Sequence, residues 1–427
     1  MNPSTPAPKL LWLNTLFLTL TPILALVVTP IYVWHHGVQA SEIAALLVLW
    51  FLVGQGITAG YHRLFSHRAY RAASPLRAYF AVVGAAAWQN SIISWASDHR
   101  THHKEVDTEE DPYNPKRGFW YSHIGWILVD GQRDPEHRNV ADLWADPVCR
   151  WQHRYYWIIS LAFNITIPTL LGLWTGRLGG MLIFALLLRV VLVHHCTFTI
   201  NSLAHMWGSR PWSKTNTARD NWFLSLLSFG EGYHNYHHAY QYDYRNGPIW
   251  YNYDPSKWLI WSLSHTRLVD SLRRAPDEVL LRRRYDDAKD RLLDGLARRG
   301  ELSLEEWRIF LSERRDEVAD RARSIQGAVR DGTATLAEHA ELLRHRLRER
   351  WLHAEARLES SLTEIKARRQ AWLLKRRKTQ NMPQSALNER ALVELSEMKR
   401  AFRHAKRQAR RALRDLNRVA ANENAGL

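Results

Sequence analysis

The 427-residue chain predicts an all-α membrane protein, with four transmembrane helices under a cytoplasmic helical cap and a helical, coiled-coil-like extension behind them. Three observations carry this expectation. Four apolar runs each reach the ~20 residues that span a hydrocarbon core as a helix. Dense histidine clusters sit just beyond the ends of apolar runs. After about residue 270 the composition changes to basic, heptad-like helix.

The apolar runs lie at about 10–34, 43–61, 155–174 and 178–200. The first is too long for a cleavable signal peptide and follows only a short polar start, so it reads as a retained span. Connections from His35 to Glu42 and from Thr175 to Gly180 are short and nearly uncharged, whereas His62 to Arg154 is rich in Arg and Lys. The positive-inside rule places that long loop, and with it both termini, in the cytoplasm. A fifth apolar stretch, Leu76 to Trp95, contains Gln89, Asn90 and Ser91 and reads as one interfacial or buried helix that does not span. Seventeen of the 20 Trp precede Arg273, many at helix ends where an apolar ring with a polar tip suits the headgroup layer.

Eight histidines form three clusters: His62 and His67; His99, His102 and His103; His234, His237 and His238. Topology brings all three to one cytoplasmic surface. Imidazole suits iron, copper, zinc or nickel, and eight ligands exceed the six positions of an octahedral ion, so two neighbouring metals are implied. Spacings of three and four place side chains on one helical face, and an adjacent His reaches a second site. With only Cys149 and Cys196 in the chain, a thiolate-based zinc or iron–sulfur site is disfavoured.

From Ser271 to Leu427 there are 37 Lys and Arg against 25 Asp and Glu. Capping-box patterns at Ser303 and Thr335 start helices, and Leu304, Trp307, Leu311, Val318 and Ile325, then Leu336, Leu343, Leu347, Trp351, Leu358 and Ile365, keep a helical period. The extension reads as an arm that self-associates or lies on anionic lipid. Because Arg alternates with Glu, no specific nucleic-acid partner is expected.

The boxes and their flanks carry a resemblance. Gly60-Tyr-His62 through His67, Asp98-His99 through Lys104, Asp111-Pro-Tyr-Asn through Trp126, Asn201 through His205, and Gly230 through His238 are similar to the integral-membrane fatty acyl desaturases, and within them to the delta-9, stearoyl-CoA type group in its bacterial form. The likeness covers about Leu10 to Tyr253, and residues 1–270 are the expected desaturase domain. It implies a di-iron centre ligated by the eight clustered histidines and a ninth, His205, with Asn201 holding a water. It divides them as His62, His67, His99, His103 and His238 on one iron, and His102, His205, His234 and His237 on the other. It points to Asn90 and Trp95 near the bend of a substrate tunnel and adds Asp98 beside the second box. Arg100, Lys104, Lys116 and Arg117 are its candidates for carrier phosphates, although Ser97 stands where animal members carry Arg.

The implied reaction is oxygen-dependent insertion of a cis double bond, at delta-9, into an acyl-CoA or lipid-linked chain. A mid-chain methylene is neither acidic nor polarised, so histidine bases alone cannot remove its hydrogen. Dioxygen, two non-haem irons and two electrons from a separate donor, a ferredoxin or flavoprotein reductase, supply the oxidant. Asp98, Asp107, Asp111 and Glu231 are expected to orient the imidazoles. The expected location is the bacterial inner membrane, with the active site facing the cytoplasm. The alternatives are a membrane di-iron hydroxylase of lipids or alkanes, and a non-catalytic metal carrier.

Overall fold

The computed structural model describes residues 9–131, 134–297, 336–380 and 389–425. It divides into two compact units, Met1–Arg274 and Ala275–Leu427. Among the described residues, four helices, all in the first unit, are long and apolar enough to cross a membrane: Trp12–His36 (α1), Ala40–Ser66, Tyr156–Thr175 and Leu178–Met206. They fall on the four expected runs. The second and fourth continue beyond their expected ends, and the added turns carry His62 and His205.

Leu13 and Leu26 of α1 are 71% and 76% exposed, an apolar surface that suits lipid rather than water. Pro22 and Pro30 lie inside α1, as membrane helices tolerate. At the short connections, buried Glu42 accepts hydrogen bonds from the Gln39 backbone N–H at 2.8 Å, the Tyr32 hydroxyl at 2.7 Å and Arg177 Nε at 3.0 Å. One carboxylate thus ties both hairpin connections together.

The second span changes winding along its length. Ala40–Gln55 (α2) is α-helical, and Gly56–Ser66 is π-helical. In an α-helix, positions five apart point in different directions. The wider winding bonds i to i+5, and the His67 N–H donates to the His62 carbonyl at 3.1 Å, so both imidazoles of the first cluster turn to the same side.

The fifth apolar stretch departs from the expectation of one helix. It forms two, Ser74–Ala85 (α3) and Ile92–Glu105 (α4), separated by a break in which Trp88 and Asn90 have φ of 53° and 72°. A broken helix end buried at membrane depth needs partners for its carbonyls, and four side chains supply them. Ser160 Oγ donates to Ala85 O at 2.9 Å, Asn164 Nδ2 and Arg189 Nη1 to Ala86 O at 3.2 and 2.8 Å, and His194 Nε2 lies 2.8 Å from Ala87 O. Arg189, fully buried, also donates to Asn164 Oδ1. Ser91 caps α4 by accepting from the Ser94 N–H.

The strands are minimal: Arg71–Ala72 (β1) pairs antiparallel with Val269–Asp270 (β2). In the second unit, helices Asp277–Ala297, Leu336–Gln380 and Glu389–Ala425 enclose an apolar seam. Trp351, Leu358 and Ile365 are buried there with Leu281, Tyr285, Ala405, Ala409 and Leu413. Three positions of the stripe, Trp351, Leu358 and Ile365, are therefore buried within the unit. The expected caps at Ser303 and Thr335, and the stripe from Leu304 to Ile325, lie outside the described residues.

Candidate metal centre

Three helical elements converge on one site. The π-helical turn and the residue after it carry His62 and His67, α4 carries His99, His102 and His103, and His234–Ala239 carries His234, His237 and His238. His205 arrives from the end of the fourth span. The nine imidazoles form two groups whose ligand atoms lie within 4.8 Å of one another: His62, His67, His99, His103 and His237; and His102, His205, His234 and His238. Relative to the expected division, His237 and His238 exchange places. Being adjacent on one helical turn, they point about 100° apart, and the phase of that turn decides which group each one meets.

Nε2 atoms face each other throughout. His62 meets His237 at 2.9 Å, His67 meets His99 at 2.8 Å and His237 meets His103 at 2.9 Å. In the second group His234 lies 3.0 Å from His205, His238 3.1 Å from His234, and His102 3.3 Å from His238. Burial first, then repulsion between neighbouring imidazoles, holds His67, His99, His102, His103, His234, His237 and His238 well below the ordinary histidine range. Neutral imidazole is the form that binds a metal.

Outer partners set the tautomers of several rings. His62 Nδ1 lies 2.8 Å from Glu231 Oε2, and the other oxygen of Glu231 accepts from Arg63 Nη2 at 2.9 Å. Arg63 also pairs with Asp254 at 2.9 Å. Burial pushes the Glu231 carboxyl up, but His62 and Arg63 more than offset this and leave it below the ordinary range. His102 Nδ1 lies 2.9 Å from Asp111, and His99 Nδ1 3.1 Å from the Tyr113 hydroxyl. His205 Nδ1 lies 2.8 Å from Thr217 Oγ1, which donates to Asp107 at 2.6 Å.

This donor set fits metal ions. When the Nδ1–H groups of His62 and His102 are donated to carboxylates, their Nε2 atoms present lone pairs to His237 and His238. Among the described residues, the Nδ1 atoms of His234 and His237 are buried without a hydrogen-bond partner. Burial raises Asp111 to about 7 in spite of backbone N–H bonds from Asp107 and Tyr113. A cation within each group satisfies the facing lone pairs and offsets the cost of ionising Asp111.

A cavity opens from this cluster into the membrane half. His62, His99 and His234 form its polar end, and Trp50, Phe17, Leu18, Val193 and Phe229 line its apolar remainder. The expected Asn90, Trp95, Asp98 and Asn201 all line it. Trp95 stacks on His99 with centroids 4.8 Å apart and donates from Nε1 to Gln89 Oε1 at 3.3 Å. Gln89 in turn donates to Thr197 at 3.0 Å.

Other expected residues lie elsewhere. The Arg100 guanidinium is committed to Phe65 O, Ser66 O, Asn139 O and Asp142, so it clamps α4 to the first-cluster turn rather than facing a ligand. Lys104 is exposed and pairs with Glu105, Lys116 is exposed, and Arg117 packs 3.6 Å above the Tyr121 ring. None of the four lines the cavity. His194 lines the cavity while bonding Ala87 O, and His123 bridges Ser202 and His195. Sequence reasoning missed Gln89, Tyr113, Thr197 and Thr217. The one signal for Tyr113 is its place two residues after Asp111 in the Asp-Pro-Tyr-Asn flank, and Gln89 and Thr197 stand out only as polar residues inside apolar runs.

Comparison with known proteins agrees with this geometry. The family model for fatty acid desaturase matches residues 40–266. A probable acyl-CoA desaturase of Schizosaccharomyces pombe is 40% identical over 304 residues, 70% of this chain and 60% of that protein. Acyl-CoA desaturase 1 of Saccharomyces cerevisiae is 39% identical over 273 residues, 62% of this chain and 52% of that protein. Stearoyl-CoA desaturase 5 of Homo sapiens is 39% identical over 246 residues, 55% of this chain and 74% of that protein. The chain therefore spans little more than half the length of the two yeast relatives.

Proposed function

The chain belongs to the fatty acid desaturase family, and from its site we propose an oxygen-dependent desaturase that places a cis double bond, at delta-9, in the acyl chain of an acyl-CoA. The observation that carries this reading is the convergence of nine imidazoles, in two groups, on the polar end of an apolar cavity. Two non-haem irons, one in each histidine group, supply with dioxygen and two electrons the power to break unactivated C–H bonds.

The protein's share of the chemistry is positioning. Glu231, Asp111, Tyr113 and Thr217 fix ring orientation at His62, His102, His99 and His205 through Nδ1, which is how outer partners tune a metal ligand. Asn201, which lines the cavity, would hold a water on one of the metal ions. The chain of bonds Trp95–Gln89–Thr197 fixes one wall of the cavity, with Trp95 against His99. An acyl chain laid along that wall presents one carbon pair to the histidine end, so regioselectivity follows from orientation. Apolar lining excludes bulk water from the reacting carbons.

In this reading the protein sits in the bacterial inner membrane with the histidine face in the cytoplasm, and electrons come from a separate ferredoxin or flavoprotein. The test is expression in a host lacking delta-9 unsaturation, with gas chromatography of its fatty acids and iron analysis of the purified protein. The expected result is a new delta-9 cis acid and two irons per chain, both lost in His102→Ala. Hydroxy acids without a new double bond would overturn it.

A further inference from the structure

A second cavity lies on the other face of the first-cluster segment. Leu64, Phe65, Arg68, Tyr70, Arg71, Arg77, Leu143, Asp270 and Arg273 line it, and it shares no residue with the acyl cavity. Four guanidinium groups border it against one lining carboxylate, Asp270. Arg68 and Arg71 have side chains 67% and 76% exposed. Behind the rim, Asp146 pairs with Arg77, while Asp142 is held by Arg100 at 2.6 Å and lies 3.7 Å from Arg68. Arg273 packs 5.4 Å from the Tyr242 ring and reaches Arg68 O at 3.4 Å. The cleft remains net positive.

Its position gives the charge a purpose. Leu64 and Phe65 lie in the turn between His62 and His67, and Arg68 is bonded directly to His67. The wall of the cleft and the wall of the metal centre are one stretch of backbone. Arg100 extends it, tying Phe65 O and Ser66 O to α4, which bears three more of the histidines. From the Arg68 backbone on the cleft wall to His67 the path is a few covalent bonds. The chain's cysteines, Cys149 and Cys196, are both buried and free, so two thiols leave it without an iron–sulfur relay of its own.

We propose that the Arg68, Arg71, Arg77 and Arg273 cleft is the docking surface for the electron donor, and that the donor is a small, acidic one-electron carrier protein. The proposal rests on the desaturase reading for its purpose. Two dockings deliver two electrons, each carrier being oxidised by one. With one dioxygen, two protons from water and the two hydrogens lost from the acyl chain, they balance as one new C=C bond and two waters. Arginines spread along a rim, several of them paired sideways to Asp, suit an extended acidic surface rather than a single phosphate, and rim charges of this kind set association rate and salt dependence.

The probe is a plant-type [2Fe–2S] ferredoxin, binding to the full-length protein in phosphatidylcholine nanodiscs at low ionic strength. Arg71→Glu with Arg273→Glu is expected to raise its Kd by about ten-fold or more. Arg71→Lys with Arg273→Lys is expected to stay within about two-fold, since the charge is kept. Asp270→Asn, which removes the lining carboxylate, is expected to tighten binding, a gain that misfolding does not mimic. Turnover supported by a small uncharged reductant should be the same in all variants. Unchanged binding on charge reversal, equal loss in the Lys pair, or capture of phosphatidylglycerol vesicles in place of ferredoxin would overturn the proposal. Binding is read without any product, so a wild-type protein that forms no unsaturated acid with the small reductant counts against the desaturase reading alone.

Discussion

The two groups of imidazoles are held in different ways. The five-member group leans on charge: His62 meets Glu231, which meets Arg63, which meets Asp254, all of them buried. The four-member group leans on hydrogen bonds with no arginine among them, His102 to Asp111 and His205 to Thr217, which Asp107 joins. Removing one member of a buried ion network strands the others at a cost of about 3–5 kcal/mol, whereas a single hydrogen bond is worth about 1 kcal/mol net. The first group is therefore bound to the stability of the fold, and the second can be loosened without unfolding it.

Removal of a ligand should erase the difference: His62→Ala and His205→Ala, one from each group, are expected to lower bound metal and reduce product below detection, by metal analysis and gas chromatography. Glu231→Gln should expose it most clearly. It leaves Arg63 without one of its two carboxylates, so a large fall in melting temperature is expected alongside a drop in activity of about 10- to 100-fold. Asp111→Asn should cost metal affinity or activity by the same 10- to 100-fold with the melting temperature nearly unchanged. If Asp111→Asn unfolds the protein as readily as Glu231→Gln, the contrast fails. Thr217→Val, which takes a neutral hydroxyl rather than a carboxylate from a ligand imidazole, should lose about ten-fold or less. Gly54→Val should leave both groups loaded while slowing turnover, because a Cβ at Gly54 runs into the Phe229 ring at the apolar part of the cavity.

The same contrast governs what the sequence discloses. Spans and histidine clusters are local, so apolar runs and short spacings reveal them. The first cluster is legible as a pair of ligands, yet its five-residue spacing acquires meaning only with the π-helical turn at Gly56–Ser66, which no periodicity in the chain announces. His205 and Asn201 belong to no box, and family likeness alone pointed to them. The break between α3 and α4 was hidden because its stabilisers, Ser160, Asn164, Arg189 and His194, come from two other spans. Arg100 misled for a related reason: a basic residue beside a box looks like an anion ligand, and only the fold shows its guanidinium spent on Phe65, Ser66 and Asp142.

Those four stabilisers also impose an order of assembly. A ribosome delivers Ala85, Ala86 and Ala87 well before Asn164 and Arg189, and in hydrocarbon an unbonded carbonyl is strongly disfavoured. The segment between α3 and α4 is therefore expected to settle at that depth only once the third and fourth spans have brought their polar side chains to meet it. Until the third and fourth spans exist, the carbonyls of Ala85, Ala86 and Ala87 lack the partners that hold this part of the cavity wall, so the wall beside the histidine centre is complete only after His194 has been made.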